Sequence, residues 1–400
     1  MTQDAVLLAG SIGLGHEMMA QSCADVLQRS GWRTRCLDSI SMMGRTSGWI
    51  GHQTFDRLVH APGLYDGLHF AHLRTGSWLA SVMDQAASAR LVSALRAELE
   101  RRPADLVLSV FATGASAAAK LKAEAPARRT VVLCTDVSVH QLWVRKGTDL
   151  FLVTSQAAEA SVRRYLPWAE VSVVPPPVRP AFYTAPSQEE ARAALGVPQH
   201  DFCVLLIDSG WGFGPLVESA SELAHAGVQV LAVAGRQQSV ERRLRRLART
   251  TPRVRPFGFT DRVPELMAAA DVVVALPGAV TCGEARAVGR QLLLLDVMPG
   301  HGRDNLQHEL ELGAAQVCLA TPRGVTASTL ALRDQARVLA LRASAARRLP
   351  RWQQAQRWEP AFVAALQRVG LELRPAVTQP VPPRATGTRD GQVTRGVAVT

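Results

Sequence analysis

Residues 5–16 read AVLLAGSIGLGH, an apolar run followed directly by three glycines and a histidine. The run has the length of one buried β-strand, and the glycines permit a tight turn at its end. A helix that begins at such a turn offers unpaired backbone N–H groups to a ligand. The stretch therefore predicts the first strand, ligand loop and first helix of an α/β domain.

Short apolar runs alternate with helical segments along the rest of the chain, a pattern typical of parallel sheets covered by helices on both faces. Strands are predicted over residues 5–10, 34–39, 105–110, 130–136, 150–154, 171–175, 203–210, 228–235, 254–259, 271–276 and 291–297. Helices are predicted over residues 16–30, 86–101, 155–165, 214–226, 237–249, 262–270, 281–289 and 303–312. We therefore expect an α/β protein with two Rossmann-like domains that face a cleft.

The length of 400 residues exceeds what one hydrophobic core usually supports. Residues 176–200 are rich in proline and lack a strand pattern, which suits a linker. The predicted units are an N-terminal domain over 1–178, a linker over 179–200, a C-terminal domain over 201–348, a terminal helix over 349–370 with a break near Pro360, and a disordered tail over 371–400.

The formal net charge of +11 is compatible with a polyanion as a partner, either nucleic acid or an anionic membrane surface, but charge alone does not select one. The densest basic run, residues 241–250, spaces Leu244 and Leu247 as one buried stripe and leaves its arginines on the opposite, solvated face of a helix. Stacking aromatic residues do not accompany these arginines, so we expect no nucleic-acid partner.

Two further patterns concern location. No segment approaches the roughly 20 consecutive apolar residues of a membrane-spanning helix, and the first residues lack the basic region of a signal peptide, so we expect a cytoplasmic protein. Residues 43–85 interleave aromatic residues with histidine and glycine. They form either ordinary core helices or an apolar segment that docks on the inner face of the cell membrane or receives a lipid.

The six cysteines are scattered and show no metal-ligand spacing, so we expect buried reduced thiols and no metal site. In the first glycine loop, Ser11, Gly13 and Gly15 precede His16, whose ordinary pKa near 6.5 suits a general base for a hydroxyl nucleophile. A dinucleotide site is the alternative, since Asp38 ends the next strand.

A second glycine loop, with Gly210, Gly212 and Gly214, follows the first strand of the second half. A third region begins at residue 271. There Pro277 and Gly278 form a turn, Thr281 caps a helix whose amino terminus neutralises a diphosphate, and Glu284 accepts both hydroxyls of a ribose. The alternative for Glu284 is a first-turn glutamate that the helix dipole stabilises. Pro299 opens a further loop that ends at Asn305 and lies over a bound sugar.

These motifs together resemble glycosyltransferase family 28 and are closest to its monogalactosyldiacylglycerol synthase branch. The matching residues are SxGxGH at 11–16, Thr135-Asp136 followed by Trp143, Pro176-Pro177-Val178, Gly258-Phe259-Thr260, Asp271, PGxxTxxEA at 277–285 and PGxxxxN at 299–305. The resemblance covers about residues 5–320 in the right order, and it is weaker to the enzyme that adds N-acetylglucosamine to lipid I.

The resemblance implies a double-Rossmann (GT-B) fold, a UDP-sugar held by the C-terminal domain, a hydroxyl acceptor of the diacylglycerol type held by the N-terminal domain, inversion at the anomeric carbon, and no metal or other cofactor. We expect His16 and Asp136 to be catalytic and Ser11, Gly13 and Gly15 to form an acceptor or phosphate loop. The residues expected to bind the donor are Gly210, Gly212, Gly214, Arg236, Phe259, Gly278, Thr281, Glu284, His301 and Asn305.

Three departures leave the donor sugar open. The family usually shows Lys-Pro-Gly-Gly, Pro-Gly-Gln-Glu and Ser-x-His-Pro, where this chain has residues 276–279, 299–302 and 109–112 as LPGA, PGHG and SVFA. Three alternatives to a lipid glycosyltransferase therefore stand: a glycosyltransferase for a soluble natural product, a UDP-N-acetylglucosamine 2-epimerase, and a nucleotide-sugar-binding protein without catalysis.

Overall fold

The computed structural model describes residues 3–11, 14–44, 78–134, 136–207, 215–297, 299–313, 315–342 and 358–373, together with residues 63, 66, 67, 70 and 71. Within these residues the strands form two parallel sheets of six strands each. Helices pack against both sheets, so the chain is an α/β protein with two Rossmann-like halves, and the predicted fold class is confirmed.

The N-terminal sheet has the order β2-β1-β3-β4-β5-β6. Its strands are β1 (Asp4–Ala9), β2 (Arg33–Asp38), β3 (Leu106–Ser109), β4 (Arg129–Leu133), β5 (Leu150–Val153) and β6 (Val171–Val173). Its helices are α1 (Leu14–Arg29), α2 (Ser39–Met42), α3 (Trp78–Arg101), α4 (Ala112–Lys120) and α5 (Gln156–Tyr165), with short 3₁₀ turns at Leu121–Glu124 and Gln141–Trp143. The central strands are continuous apolar runs because both faces of a parallel sheet are covered.

The segment predicted as a linker contains two helices, α6 (Pro180–Tyr183) and α7 (Gln188–Leu195). Ala191 and Val197 are buried in the main hydrophobic core, and Arg192 donates to Asp271 at 2.7 Å. This segment, predicted as a linker without a strand, therefore contains two helices and packs in part against the C-terminal domain.

The C-terminal sheet has the order β12-β11-β10-β7-β8-β9. Its strands are β7 (Cys203–Ile207), β8 (Gln229–Val233), β9 (Val254–Phe257), β10 (Val272–Ala275), β11 (Gln291–Leu295) and β12 (Ala315–Cys318). Its helices are α8 (Leu216–His225), α9 (Gln238–Ala248), α10 (Val263–Ala269), α11 (Ala279–Val288), α12 (His301–Glu311) and α13 (Pro322–Arg342). The eleven predicted strands are all present, whereas the edge strand β12 was not predicted.

A last helix, α14 (Trp358–Arg368), returns to the N-terminal domain, where Glu359 pairs with Arg29 at 2.7 Å. The predicted break near Pro360 is wrong, because a proline in the first turn of a helix interrupts no internal hydrogen bond. The tail predicted to be disordered from residue 371 is ordered through Leu373. Leu373 is buried, and the carbonyl of Glu372 accepts a hydrogen bond from Trp32.

Each sheet reverses its strand order once. The candidate site lies at the carboxyl ends of the strands beside these reversals. In the first sheet β1 pairs with β2 on one side and β3 on the other, and in the second sheet β7 lies between β8 and β10. Loops that leave the carboxyl ends of strands at such a reversal diverge and open a crevice for a ligand. The relevant loops follow β1, β3, β7 and β10, and those after β1 and β10 carry two of the sequence motifs.

Candidate active site

The first glycine loop is anchored by the strand beside it. The backbone N–H of Ser11 donates to Asp38 at 2.9 Å, and the same carboxylate caps α2 by accepting from the N–H groups of Ile40 and Ser41. Partial burial raises the pKa of Asp38, but the hydrogen bonds from Ser41 and Ser11 outweigh this effect and the net pKa is lowered. Because Asp38 serves the loop itself, the structure does not favour it as the ribose ligand of a dinucleotide site.

His16 is held by the main chain at the end of β3. Its Nδ1 lies 2.7 Å from the carbonyl oxygen of Val110. A carbonyl only accepts hydrogen bonds, so Nδ1 carries the proton and Nε2 is the basic nitrogen. Burial lowers the pKa of His16 and His301 lowers it further, while Asp136 and the Val110 hydrogen bond oppose this. The net pKa is lowered, so His16 is neutral at neutral pH.

Phe111 covers His16. The two ring centroids lie 5.3 Å apart at an interplanar angle of 75°. A Cβ atom at Gly10 would lie 2.7 Å from the Phe111 ring, so only glycine leaves room for it. Phe111 occupies the position where the family usually has a histidine, and the structure shows that an apolar ring takes that space beside His16.

Asp136 is the charged centre of the N-terminal side of the site. Its Oδ2 accepts from the indole N–H of Trp143 at 2.9 Å and lies 3.6 Å from Nε2 of His140. Burial raises the pKa of Asp136, but His301, His140, Trp143 and His16 together outweigh burial and the net pKa is lowered. Asp136 is therefore ionised, and it acts electrostatically on histidines from both domains.

The predicted loop from Pro299 to Asn305 is wrong for most of its length. Gly300, at φ 61°, is the N-cap residue of α12, so residues 301–305 are already helical. Gly300 donates its N–H to Asp66 at 2.7 Å, and Arg303 pairs with the same carboxylate at 3.1 Å. Asn305 is 6% exposed, and its side-chain oxygen accepts from the N–H of Val137 at 3.3 Å. This hydrogen bond joins the two domains.

The third motif region forms the start of α11. Its N-cap residue is Gly278, so Thr281 lies inside the first turn and the prediction that Thr281 caps the helix is wrong. Pro277 and Gly278 supply the chain reversal, which lets the helix begin two residues earlier than Thr281. The amino end of α11 approaches the start of α1, since a Cβ atom at Gly15, which was predicted in the glycine loop but lies in the first turn of α1, would be 3.8 Å from Val280.

Glu284 lies in the second turn of α11 and is 4% exposed. Its Oε1 accepts from Nε of Arg179 at 2.9 Å and lies 2.8 Å from a terminal nitrogen of the same guanidinium. Burial raises the pKa of Glu284 to about 7, although Arg179 acts in the opposite direction. The interpretation of Glu284 as a first-turn glutamate does not hold, and its partner is a residue of the former linker.

Arg236 and Phe259 lie together at the rim of the cleft. The guanidinium carbon of Arg236 lies 5.0 Å from the centre of the Phe259 ring, and Phe259 is 62% exposed. Arg236 also lies 3.7 Å from the carboxylate of Glu17, the residue after His16. A cation and an exposed aromatic ring from the C-terminal domain therefore meet the start of α1.

Some predicted positions fall outside the residues that the structure describes: Gly13, Thr135, Gly210, Gly212 and Gly214. The sequence argument missed Arg179, His140 and Glu17. His140 follows Asp136 at a spacing of four residues, and this spacing could have indicated that the two side chains interact. Arg179 had none, because its partner lies 105 residues away in the chain.

Two family models match this chain. The monogalactosyldiacylglycerol (MGDG) synthase model covers residues 59–178, and the glycosyltransferase family 28 C-terminal domain covers residues 215–333. The fold and the cleft define a protein of the double-Rossmann GT-B class. Within this class the two matches agree with the resemblance to glycosyltransferase family 28 and to its monogalactosyldiacylglycerol synthase branch.

Curated relatives match only part of their own length. Processive diacylglycerol beta-glucosyltransferase of Bacillus pumilus is 26% identical over 192 residues, 47% of this chain and 50% of the relative. Chloroplastic monogalactosyldiacylglycerol synthase of Spinacia oleracea is 28% identical over 203 residues, 48% of this chain and 38% of the relative. This chain thus spans half or less of the length of these relatives.

Solved structures agree on the fold at low identity. MurG of Acinetobacter baumannii matches with a TM-score of 0.55 and 14% identity, over 92% of this chain and 100% of MurG. UDP-GlcNAc 2-epimerase from Neisseria meningitidis matches with a TM-score of 0.57 and 12% identity, over 92% of this chain and 100% of the epimerase. Because the second of these is an epimerase, fold likeness alone does not select the reaction.

Proposed function

We propose that this protein is an inverting, metal-independent glycosyltransferase that moves a hexosyl group from a UDP-sugar to a hydroxyl group of a diacylglycerol-type lipid. The observation that carries the proposal is His16, a neutral base in the crevice of the N-terminal sheet. It lies beside the amino end of α11 and within electrostatic reach of His301. A base on one domain and a diphosphate site on the other are the two parts that glycosyl transfer requires.

The acceptor half of the reaction uses the tautomer that Val110 selects. The acceptor hydroxyl transfers its proton to Nε2 of His16 while its oxygen forms a bond to the anomeric carbon. The resulting imidazolium lies near the ionised Asp136, which stabilises its positive charge. Asp136 also contacts Trp143 and His140 through Oδ2. These contacts keep its carboxylate in place while the proton is transferred to His16.

The donor half breaks the bond between the anomeric carbon and the diphosphate oxygen, and UDP leaves with the electron pair. Attack from the opposite face inverts the anomeric configuration. The amino terminus of α11 and the cation of Arg236 supply positive potential for the departing diphosphate. Side chains and a helix dipole therefore carry the charge that a metal ion carries in other transferases.

The lipid acceptor is inferred from the relatives, whose names record diacylglycerol and monogalactosyldiacylglycerol. In the described parts of the chain, no helix has the length and apolar character needed to cross a membrane. Arg242 and Arg246 of α9 and Arg249 at its C-cap are exposed, and none forms an ion pair with another described residue. Such exposed cations suit attraction to an anionic leaflet, so we place the protein at the cytoplasmic surface of the membrane.

The test is transfer from radiolabelled UDP-glucose or UDP-galactose to diacylglycerol in vesicles that contain phosphatidylglycerol. We expect a labelled glycolipid and equimolar UDP, and a kcat lower by roughly 10² to 10⁴ in His16→Ala with little change in UDP binding. Transfer by His16→Ala within a few-fold of the parent protein excludes His16 as the base. UDP binding without glycolipid on any vesicle points to a soluble acceptor or to a binding protein.

A further inference from the structure

Strand β12 forms one outer edge of the C-terminal sheet. Among the described residues it pairs with β11 and with no other strand. The carbonyl of Cys318 accepts a hydrogen bond from the N–H of Asp296, the residue after β11, at 3.2 Å. Because successive residues of a strand direct their backbone groups to opposite sides, Ala315 and Val317 direct theirs to the outer edge. β12 therefore offers backbone donors and acceptors to a further strand.

Three large apolar side chains are exposed at this edge. Leu312 is the residue after α12, Val317 lies within β12 and Leu319 follows β12, and their exposed fractions are 43%, 46% and 70%. Proteins usually protect an edge strand with charged residues or proline, and β12, with the sequence AQVC, contains neither. An apolar edge of this kind favours pairing with another strand.

Two charged residues flank β12 at its opposite ends. Glu311 is the last residue of α12, and Arg323 lies in the first turn of α13. The helix dipole disfavours an anion at the carboxyl end of a helix and a cation at the amino end, so it disfavours both of these charges. Glu311 accepts a hydrogen bond from Gln307 of its own helix, and neither Glu311 nor Arg323 forms an ion pair with another described residue. The two positions are therefore explained better by a contact outside the described chain.

We propose that the β12 edge is the interface of a two-fold homodimer, in which β12 of each copy pairs antiparallel with β12 of the other. With Val317 on the two-fold axis, the two Val317 residues exchange backbone hydrogen bonds, and Ala315 lies opposite Leu319 of the second copy. Glu311 and Arg323 each lie six residues from Val317 along the chain. The same register therefore brings Glu311 to the end of β12 where Arg323 of the second copy lies, and the symmetry makes this ion pair twice.

A second copy fits this edge because the features of the edge are self-complementary. In a two-fold interface, each contact from one residue to a second is matched by a contact from the second residue to the first. A strand that pairs with itself, an apolar residue on the axis and opposite charges at equal distances from that residue meet this requirement. Because the strand is short, we expect a weak dimer with a Kd in the micromolar range.

The experiment is sedimentation velocity of the full chain over about 1 to 200 µM at neutral pH, which covers that range. We expect a monomer–dimer equilibrium in the parent protein. Glu311→Arg and Arg323→Glu each replace two attractive contacts with two repulsive ones, so each should weaken the dimer by at least about 10-fold. The double variant Glu311→Arg/Arg323→Glu restores opposite charges and should return to within about 3-fold of the parent Kd.

Two controls separate the interface from general effects of charge and folding. Arg249→Glu changes the net charge by the same amount as Arg323→Glu, but Arg249 follows α9, which packs against β9 at the opposite edge of the sheet, so the Kd should not change. Glu311→Arg and Arg323→Glu both agree with the helix dipole, so they should melt no lower than the parent protein although they dimerise less. Val317→Lys places two lysines on the axis and should give a monomer.

A parent protein that stays monomeric at every concentration overturns the proposal. If its β12 amides are then protected from hydrogen exchange, another segment of the same chain covers the edge in place of a second copy. A dimer that all of these variants leave unchanged uses another surface, and association beyond the dimer contradicts a two-fold interface. Weakening in both single variants without recovery in the double variant contradicts the pairing of Glu311 with Arg323.

Discussion

The imidazole of His16 meets the ring of Phe111 edge to face, with the ring centroids 5.3 Å apart. The other fixed contact of His16 is the Val110 carbonyl. The Phe111 ring and the Val110 carbonyl help to shield the partly buried imidazole, and burial is the largest cause of its lowered pKa. We therefore expect Phe111, at the position where the family usually has a histidine, to contribute to the lowered pKa of His16.

Phe111→Ala should raise the pKa of His16 towards its ordinary value, because water reaches the imidazole when the ring is removed. Transfer requires neutral His16, so the acidic limb of the plot of log kcat against pH should move to higher pH. The profile is measured with saturating donor and acceptor. Trp168→Ala, a change at an exposed residue, is the control that should leave the limb in place. A limb that stays or moves to lower pH in Phe111→Ala contradicts the shielding role.

Asp136→Asn should move the same limb in the opposite direction. The negative charge of Asp136 raises the pKa of His16, so its loss lowers that pKa further. The variant keeps an oxygen that can accept from Trp143, so the local fold should persist. We expect a smaller kcat and an acidic limb at lower pH. A limb that stays in place or moves to higher pH would contradict the electrostatic effect of Asp136 on His16.

Gly10→Ala should destabilise the fold, because the new methyl group would lie 2.7 Å from the Phe111 ring. Overpacking of this kind costs about 1–3 kcal/mol of unfolding free energy. In the Phe111→Ala background the same change should cost much less, which a double-mutant cycle by urea denaturation measures. The control is Gly278→Ala, at φ −91° with open space around the position. Equal costs in both backgrounds would disprove the contact.

Chelation should leave transfer unchanged. The residues that the structure describes contain no group of three or more histidine, cysteine, aspartate or glutamate side chains that could hold a metal ion. The proposed diphosphate site relies on Arg236 and a helix terminus, neither of which EDTA affects. The initial rate is compared with and without EDTA, and with added Mg²⁺. A rate that collapses with EDTA and returns with Mg²⁺ contradicts the metal-independent mechanism.

The fold was predictable because its strands carry their own signal. β7 and β10 are unbroken apolar runs, as strands buried on both faces must be, and each is followed by a turn sequence. β12 was missed because AQVC is short, lies at the sheet edge and is partly exposed, so apolar periodicity does not mark it. Local sequence patterns therefore predicted the central strands but not the edge strand β12.

The position of a candidate site residue was predictable where that residue follows its own local motif. His16 follows its glycine loop, and that position at the end of a strand fixes its place in the crevice. The prediction that Thr281 caps the helix was wrong. A threonine three residues before a glutamate resembles the start of a helix, but the helix already begins after the N-cap residue Gly278. The Arg179–Glu284 pair depends on tertiary packing, which no local pattern reports.

Asn305→Ala should loosen the contact between the domains. It removes the acceptor for the buried N–H of Val137, and an unpaired buried group costs about 1–3 kcal/mol. We expect a lower melting temperature, a larger radius of gyration by small-angle X-ray scattering and a higher donor KM, because the two halves of the site no longer close together. The control is Gln307→Ala on the exposed side of α12, where the side chain donates a hydrogen bond to Glu311 of its own helix at 2.9 Å. If both variants show the same scattering and the same KM, the hydrogen bond between Asn305 and Val137 does not hold the cleft closed.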